Sequence, residues 1–461
     1  MSGTRNWRGW TPKLGASEGA GVIVVTFLRI LGLIYCIAFV SFGVQASGLI
    51  GSHGILPFGV YLMAAREGLG RAAYWNLPTL LWLYPHDLAL TAVWMAGAVC
   101  SLAAVWGRGQ GMALALCLVL WLSLCSVGQD FLSFQWDILL SEAGFLALFA
   151  DATRVPVWLF RWLMFRLMFF SGAVKWLSHD PTWRNFTALT YHYETQPLPT
   201  PLAWYMQQLP SWFQKASVGV VFFVEVAVPF LFFAPRRLRH IGAWITIGFQ
   251  VLILLTGNYT FFNILTIALA MWLFVDVRPH KLKLVPTLAG AVIVVIGGLL
   301  FLQLFSIPLP PGGSQVLRAV DPLRLVNSYG LFAVMTTTRP EIIVEGSSDG
   351  VNWQAYEFPY KPGDVNRRPP IVAPHQPRLD WQMWFAALGS YQENRWFVNL
   401  MLRLLQGEPR VLRLFSYNPF PKQPPKYVRA RVYQYHFTHW GDKAWWRCEE
   451  QGLYFPAVSL K

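Results

Sequence analysis

The sequence predicts a polytopic α-helical membrane protein with eight or nine transmembrane helices, followed by a C-terminal α+β, β-sandwich-like extramembrane domain. Three observations predict it. Only 13% of the 461 residues are charged while 55% are hydrophobic, against about 25% charged in an average soluble domain. The apolar excess is concentrated between Val22 and Phe305, in runs of the length a bilayer demands, about 20 helical residues per pass. After Ser306 the composition changes: residues 307–461 hold 18 Lys or Arg and 12 Asp or Glu, with frequent Pro and turn sequences. The domains are therefore 1–306, a transmembrane helical domain, and 307–461, a soluble α+β domain.

The apolar runs place spans at 22–44, 86–106, 112–127, 132–150, 155–177, 216–234, 240–256, 259–276 and 285–306. The first is an uncleaved helix, because its apolar core is about twice the 7–15 residues of a signal peptide. Residues 46–85 are broken by Gly51, Gly54, Pro57, Pro78 and Pro85 and read as a loop carrying an interfacial or re-entrant helix.

Loop charge sets orientation, because cytoplasmic loops collect Lys and Arg. With nine spans and the N-terminus inside, the cytoplasmic segments carry Arg5, Arg8 and Lys13; Arg108; Arg154; Arg236, Arg237 and Arg239; and Arg278, Lys281 and Lys283. The opposite turns near 128–131 and 257–259 carry none. Loops 45–85 and 178–215 and the C-terminal domain then lie outside. A net charge of +14 distributed by topology, without one basic patch, argues against nucleic-acid binding.

In the C-terminal region Glu341–Gly346 and Trp353–Phe358 flank the turn Ser347-Ser348-Asp349-Gly350 and read as a β-hairpin. Residues 380–388 and 395–406 read as helices, and 410–415 and 427–438 as further strands. Of the five cysteines, Cys36, Cys100, Cys117 and Cys125 fall in spans and Cys448 stands alone in the outer domain. A disulfide framework and a dithiol redox mechanism are not supported. No metal-ligand spacing occurs, and no cofactor is expected.

Ionisable groups inside spans cost at least a few kcal/mol unless paired or hydrated. Here they are Asp137, Glu142, Arg161, Arg166, Lys175 and Glu225. Estimated depth pairs Asp137 with Lys175, near the external surface, and Arg166 with Glu142 or Glu225, near mid-depth. Glu142, Arg166 and Glu225 either lock helices together or form part of a site. Lys175 lies beside a polar external loop, where partial desolvation could make it a base.

Long motifs recur through the chain: Ser133-Phe134-Gln135-Trp136-Asp137-Ile138-Leu139-Leu140-Ser141-Glu142, Arg166 to Leu177 continuing to Asp180-Pro181-Thr182-Trp183-Arg184, Tyr191-His192-Tyr193-Glu194-Thr195-Gln196-Pro197, Leu255-Thr256-Gly257-Asn258-Tyr259 and Ala373-Pro374-His375-Gln376-Pro377-Arg378-Leu379-Asp380-Trp381. Together they resemble the lipase maturation factor family over most of the chain. The resemblance implies a membrane-anchored folding or maturation factor for secreted lipases or other exported proteins, with a client lipase and membrane lipids as partners. Animal relatives reside in the endoplasmic reticulum. This chain ends Val458-Ser459-Leu460-Lys461 without a retention signal, which suits a bacterial inner membrane with the C-terminal domain periplasmic, or the endoplasmic reticulum membrane if eukaryotic. A shorter stretch, Phe170-Ser171-Gly172-Ala173-Val174-Lys175 with Asp180 and Trp183, is similar to the vitamin K-dependent γ-carboxylase (HTTM) group. That likeness implies a second function: a membrane enzyme acting on a lipid, quinone or peptide, with Lys175 as base and Asp137 and His192 beside it.

The remaining candidates carry two readings each. His192, between two tyrosines, is either a packed loop residue or an acid/base group in an external pocket. Arg367, Arg368 and His375 either contact lipid headgroups or an acidic client or belong to a solvated loop. Trp381, Trp384, Phe385, Trp396 and Phe397 either bind a client or, given their helical spacing, fill a core or dock the domain.

Overall fold

The structure, a computed structural model, describes residues 18–277 and 283–460. Arg5, Arg8, Lys13, Arg278 and Lys281, on which part of the orientation argument rests, lie outside the described residues. Among those described, seven helices are long and apolar enough to cross a membrane: Gly19–Leu49, Asp87–Trp106, Gln110–Val127, Arg154–Leu177, Ser211–Phe233, Arg236–Thr256 and Leu284–Leu304. The protein is an integral membrane protein.

The other two expected passes are shorter. Gln135–Ala147 has 13 residues, about 20 Å at 1.5 Å per residue, against a hydrocarbon core of about 30 Å. The second is Phe262–Leu273. Both are buried almost throughout, so they face protein and need not satisfy the length that lipid imposes. They still connect the two ends of the bundle. Asp137 contacts the C-terminal domain while Asp151, just beyond the same helix, pairs with Lys283 at 2.6 Å. Asn258 contacts the C-terminal domain while Asp276 pairs with Arg239 at 2.7 Å.

Close helix packing rests on small residues. A Cβ on Gly97 would lie 2.3 Å from the Phe39 ring, and one on Gly43 2.4 Å from Trp94, so each aromatic of one helix enters a gap in the other. The return from Asp87–Trp106 to Gln110–Val127 takes three residues, with Gly107 and Gly109 both at positive φ, a conformation that costs glycine little. In the segment 46–85, the helix Phe58–Leu69 buries Phe58 and Leu62 and exposes Val60 and Met63.

The C-terminal domain holds one antiparallel sheet in the order β2-β1-β3-β4, with β1 Pro340–Ser347, β2 Gln354–Ala355, β3 Tyr427–Phe437 and β4 Trp446–Val458. The expected hairpin forms, with Glu345 opposite Ala355 and Gly346 opposite Gln354. Among the described residues there is no second sheet, so the sandwich expectation is corrected to a single sheet in an α+β domain. Even-numbered Val428 and Ala430 of β3 share a buried cluster with Trp396, Phe397, Leu400 and Leu404 of the helix Arg395–Leu405. Odd-numbered Tyr435 and Phe437 join Trp183, Tyr193 and Trp204 of loop 178–215. Alternation of side chains along a strand thus gives the sheet two different covers, neither of them a sheet. Residues 410–415, expected as a strand, instead begin with a helical turn, Pro409–Leu412, capped by the Glu408 side chain; Pro at the first helical position favours that start. Strand β4 was not anticipated.

The C-terminal domain rests on the end of the bundle formed by the segments near 45–85, 128–132, 178–215 and 258. Arg410 pairs with Asp87, Arg324 donates to the Leu132 carbonyl at 3.2 Å, and Arg339 donates to the carbonyls of Glu194 and Pro197. A single buried apolar cluster runs from the first helix into β3 and β4.

Candidate functional site

The intramembrane charges pair in a way that their depths alone did not resolve. Asp137 does not meet Lys175. Its carboxylate accepts two hydrogen bonds of 2.9 Å from Arg378 of the C-terminal domain, and Arg378 also donates to the Phe131 carbonyl. A planar guanidinium matches a carboxylate with two parallel bonds, which a lysine cannot do. The reason sequence reasoning missed it is that the partner comes from the other domain.

Arg166 pairs with Glu142, both fully buried. The second oxygen of Glu142 accepts from the Asn327 amide N–H and side chain, both at 3.0 Å, and from the Tyr329 hydroxyl at 2.7 Å. Arg166 in turn donates to the Asn327 carbonyl at 2.7 Å. This hub ties residues 327–329, beyond the expected domain boundary, into the bundle. Arg161 donates to the Val275 carbonyl at 2.7 Å.

Glu225 pairs with Lys175 at 2.7 Å instead of with Arg166. Local sequence explains the approach. Pro229 lacks an N–H and its ring crowds the carbonyl four residues back, that of Glu225. The helix widens there into a π-turn, Phe223–Ala227, a distortion frequent at functional sites. Opposite lies Gly172, where a Cβ would be 2.7 Å from Val226 and 2.8 Å from the Glu225 Cβ. Only a bare backbone lets the π-turn come this close. Lys175 also donates to the Ser171 carbonyl at 3.0 Å and lies 5.4 Å from the centre of the Trp183 ring. The Lys175 Nζ is thus already engaged by the Glu225 carboxylate and the Ser171 carbonyl, so the geometry does not support the base role.

The pair lies in a cavity of about 680 Å³ whose wall is overwhelmingly apolar. Leu167, Ser171 and Lys175, spaced by four, line it from one helix face. Its other polar groups include His192, Gln250, Tyr259 and Asn263. Asn263 donates to Gln250 at 2.8 Å, yet its own side-chain oxygen is buried without a partner. His192 packs edge-on against Phe332 and lies 3.4 Å from the Tyr259 hydroxyl; its Nδ1 is buried and unpaired. Burial, then the nearby charge of Lys175, lowers its pKa to about 4, so the ring is neutral. Trp212, 70% exposed, and Leu252, 61% exposed, stand at the rim.

The other candidates lie elsewhere. Trp381 and Trp384 are buried. Trp381 packs on Phe134, Trp136 and Tyr259, and Trp384 donates to the Thr195 carbonyl at 2.8 Å. They dock the domain on the bundle and leave a client no surface of their own. Trp396 and Phe397 are core residues, and Phe385 is 43% exposed. His375 is bonded to Ser41 of the first helix at 2.9 Å, and burial lowers its pKa. Arg367 donates to the Phe358 and Lys361 carbonyls, whereas exposed Arg368 lies over Trp445. Asn258, quoted within a motif but given no role, clamps the C-terminal loop: it donates to the Pro370 carbonyl and accepts from Val372 and Ala373 N–H. A polar residue between two apolar runs was the available signal. Among the described residues no cluster of three or more His, Cys, Asp or Glu could hold a metal, and the five cysteines are free.

Comparison with known proteins matches residues 23–280 to the family described as lipase maturation factor transmembrane domain, and residues 325–456 to lipase maturation factor C-terminal domain. Over 94% of its length the chain is 38% identical to lipase maturation factor 2 of Gallus gallus, covering 81% of that protein. It is 37% identical to lipase maturation factor 2 of Homo sapiens, again over 94% of this chain and 82% of the relative. Lipase maturation factor 1 of Bos taurus is 34% identical over 94% of the chain and 88% of its own length. No solved structure matches.

Proposed function

The chain belongs to the lipase maturation factor family, and from that premise we propose that it is a membrane-anchored maturation factor for lipases or other exported proteins. One observation supports this reading most strongly. Both family domains are present in order and are joined by the buried Asp137–Arg378 ion pair, so the C-terminal domain is held at one end of the bundle as a platform. We place that end outside the cytoplasm: the periplasm if the membrane is a bacterial inner membrane, the lumen if it is the endoplasmic reticulum. Described basic residues such as Arg239 and Lys283 lie at the opposite end, as the charge rule for cytoplasmic loops requires.

Trp381 and Trp384 are buried against the bundle, so client contact falls to exposed side chains of the C-terminal domain. Arg368 and Phe385 are the ones among the sequence candidates that keep free surface. The test is deletion of the gene in its native host, comparing secreted lipase activity per unit of lipase protein. Activity falls while lipase synthesis is unchanged, and the full-length chain restores it. Unchanged specific activity across the host's exported lipases overturns the reading. Protease protection of tagged membranes tests orientation separately: a C-terminal domain digested only from the cytoplasmic side overturns it.

A further inference from the structure

We propose that the cavity around Lys175, Glu225 and Asn263 binds one uncharged, hydroxyl-bearing amphiphile drawn from the bilayer, of the chemical class of a monoacylglycerol. The inference goes beyond maturation activity and does not depend on it.

Size comes first. A volume of about 680 Å³ lies inside the range of about 300–1,000 Å³ that holds one drug-sized ligand. The wall is apolar, with aromatic and aliphatic side chains such as Phe213, Val221 and Phe249, and burial of acyl methylenes against it is favourable. The rim carries exposed Trp212, Val220 and Leu252 on membrane-spanning helices, so the opening faces lipid, where such chains reside.

Charge comes second. Lys175 and Glu225 cancel at 2.7 Å, and His192 is neutral. An anionic headgroup would add an uncompensated charge to an apolar enclosure, at a cost of several kcal/mol. A neutral head adds none.

Hydrogen bonding decides the head. The buried side-chain oxygen of Asn263 has no donor. Glu225 accepts from Lys175 through one oxygen, and the other accepts no hydrogen bond among the described residues. Two acceptors call for a ligand that donates. A hydroxyl donates, whereas a quinone or a fully esterified glyceride carries acceptors only. The ester carbonyl of a monoacylglycerol has a donor available in the Lys175 ammonium.

The test uses the full-length protein in nanodiscs with a photoreactive monoacylglycerol as probe, crosslinked sites being mapped by mass spectrometry. Labelling is expected within 211–225 and 249–263 and is competed by unlabelled monoacylglycerol. Its dimethyl ether, which cannot donate, competes about a hundred-fold less well, about ten-fold for each of the two acceptors it leaves without a donor. Asn263→Leu, which removes one of those acceptors, should lose about ten-fold. Ser217→Phe places a bulky side chain in the cavity and should abolish labelling while retaining a cooperative thermal transition, so a folding defect in Asn263→Leu does not blunt the test. Equal competition by the ether, by phosphatidylglycerol or by a fatty acid overturns the assignment. So does labelling spread over the outer face of Leu284–Leu304 and insensitive to Ser217→Phe.

Discussion

Arg378 of the C-terminal domain grips Asp137, in the first turn of a buried membrane helix, through two parallel hydrogen bonds of 2.9 Å. Both side chains are essentially inaccessible. Removing one member of a buried pair strands the other, at a cost of about 3–5 kcal/mol, whereas replacing both with apolar residues is often close to neutral. Asp137→Asn and Arg378→Met alone should each lower the unfolding temperature in detergent and speed proteolytic release of the C-terminal domain. The double variant Asp137→Leu, Arg378→Met should recover part of the loss. A double variant no better than the worse single one would show that the pair is not the joint.

Glu142 collects Arg166, Asn327 and Tyr329. Tyr329→Phe removes one hydrogen bond to a charged group and should cost about 1.5–3 kcal/mol. Glu142→Gln should cost more, since it leaves Arg166 buried without a counter-charge. Equilibrium unfolding of the two variants should rank them in that order; a larger loss for Tyr329→Phe would contradict the hub.

The contact between Gly172 and the π-turn makes a steric prediction. Gly172→Ala places a methyl group 2.7 Å from Val226 and 2.8 Å from the Glu225 Cβ, and overpacking of this kind costs about 1–3 kcal/mol. Thermal unfolding should show the loss, and Val226→Ala in the same chain should return part of it by removing the nearer obstacle. Failure of that rescue would place the strain elsewhere.

Asp380 gives a pH dependence in the C-terminal domain. Burial raises its pKa to about 6, against lowering by the Lys361 and Tyr360 N–H groups that it accepts from at 2.8 Å. An unfolded Asp titrates near about 3.9, so the folded state binds the proton more tightly. Its contribution is complete below pH 4 and is lost as pH rises through 6. Asp380→Asn keeps an acceptor oxygen and removes the titration. The difference in unfolding free energy between wild type and variant should therefore shift in favour of the variant between pH 4 and 6 and be flat above pH 7. A difference independent of pH across that window would exclude the assignment.

The buried charges show how far the sequence could be read. Arg166, Glu142 and Glu225 lie at matching depths, so depth left Arg166 two acidic candidates, and packing chose Glu142. Lys175 and Asp137 also match in depth, yet each has another partner. Lys175 reaches Glu225 because Pro229 widens one helix and Gly172 thins the other. Both residues are visible in the sequence, but their being opposite each other is a property of packing. Asp137 reaches Arg378, 241 residues away, and no periodicity relates the two.

Composition and run length by themselves determined a helical membrane bundle with a polar domain after residue 306, because hydrocarbon imposes the same length and polarity on any helix that it surrounds. The two short passes escaped that rule because protein surrounds them. Strand alternation determined which residues of β3 face inward, but the material covering each face, helices on one and loop 178–215 on the other, was decided by the tertiary structure. The cavity was decided there too. Its polar groups come from separate segments of the chain, and it exists only because the π-turn, loop 178–215 and residues 331–335 close around a space that no one helix encodes.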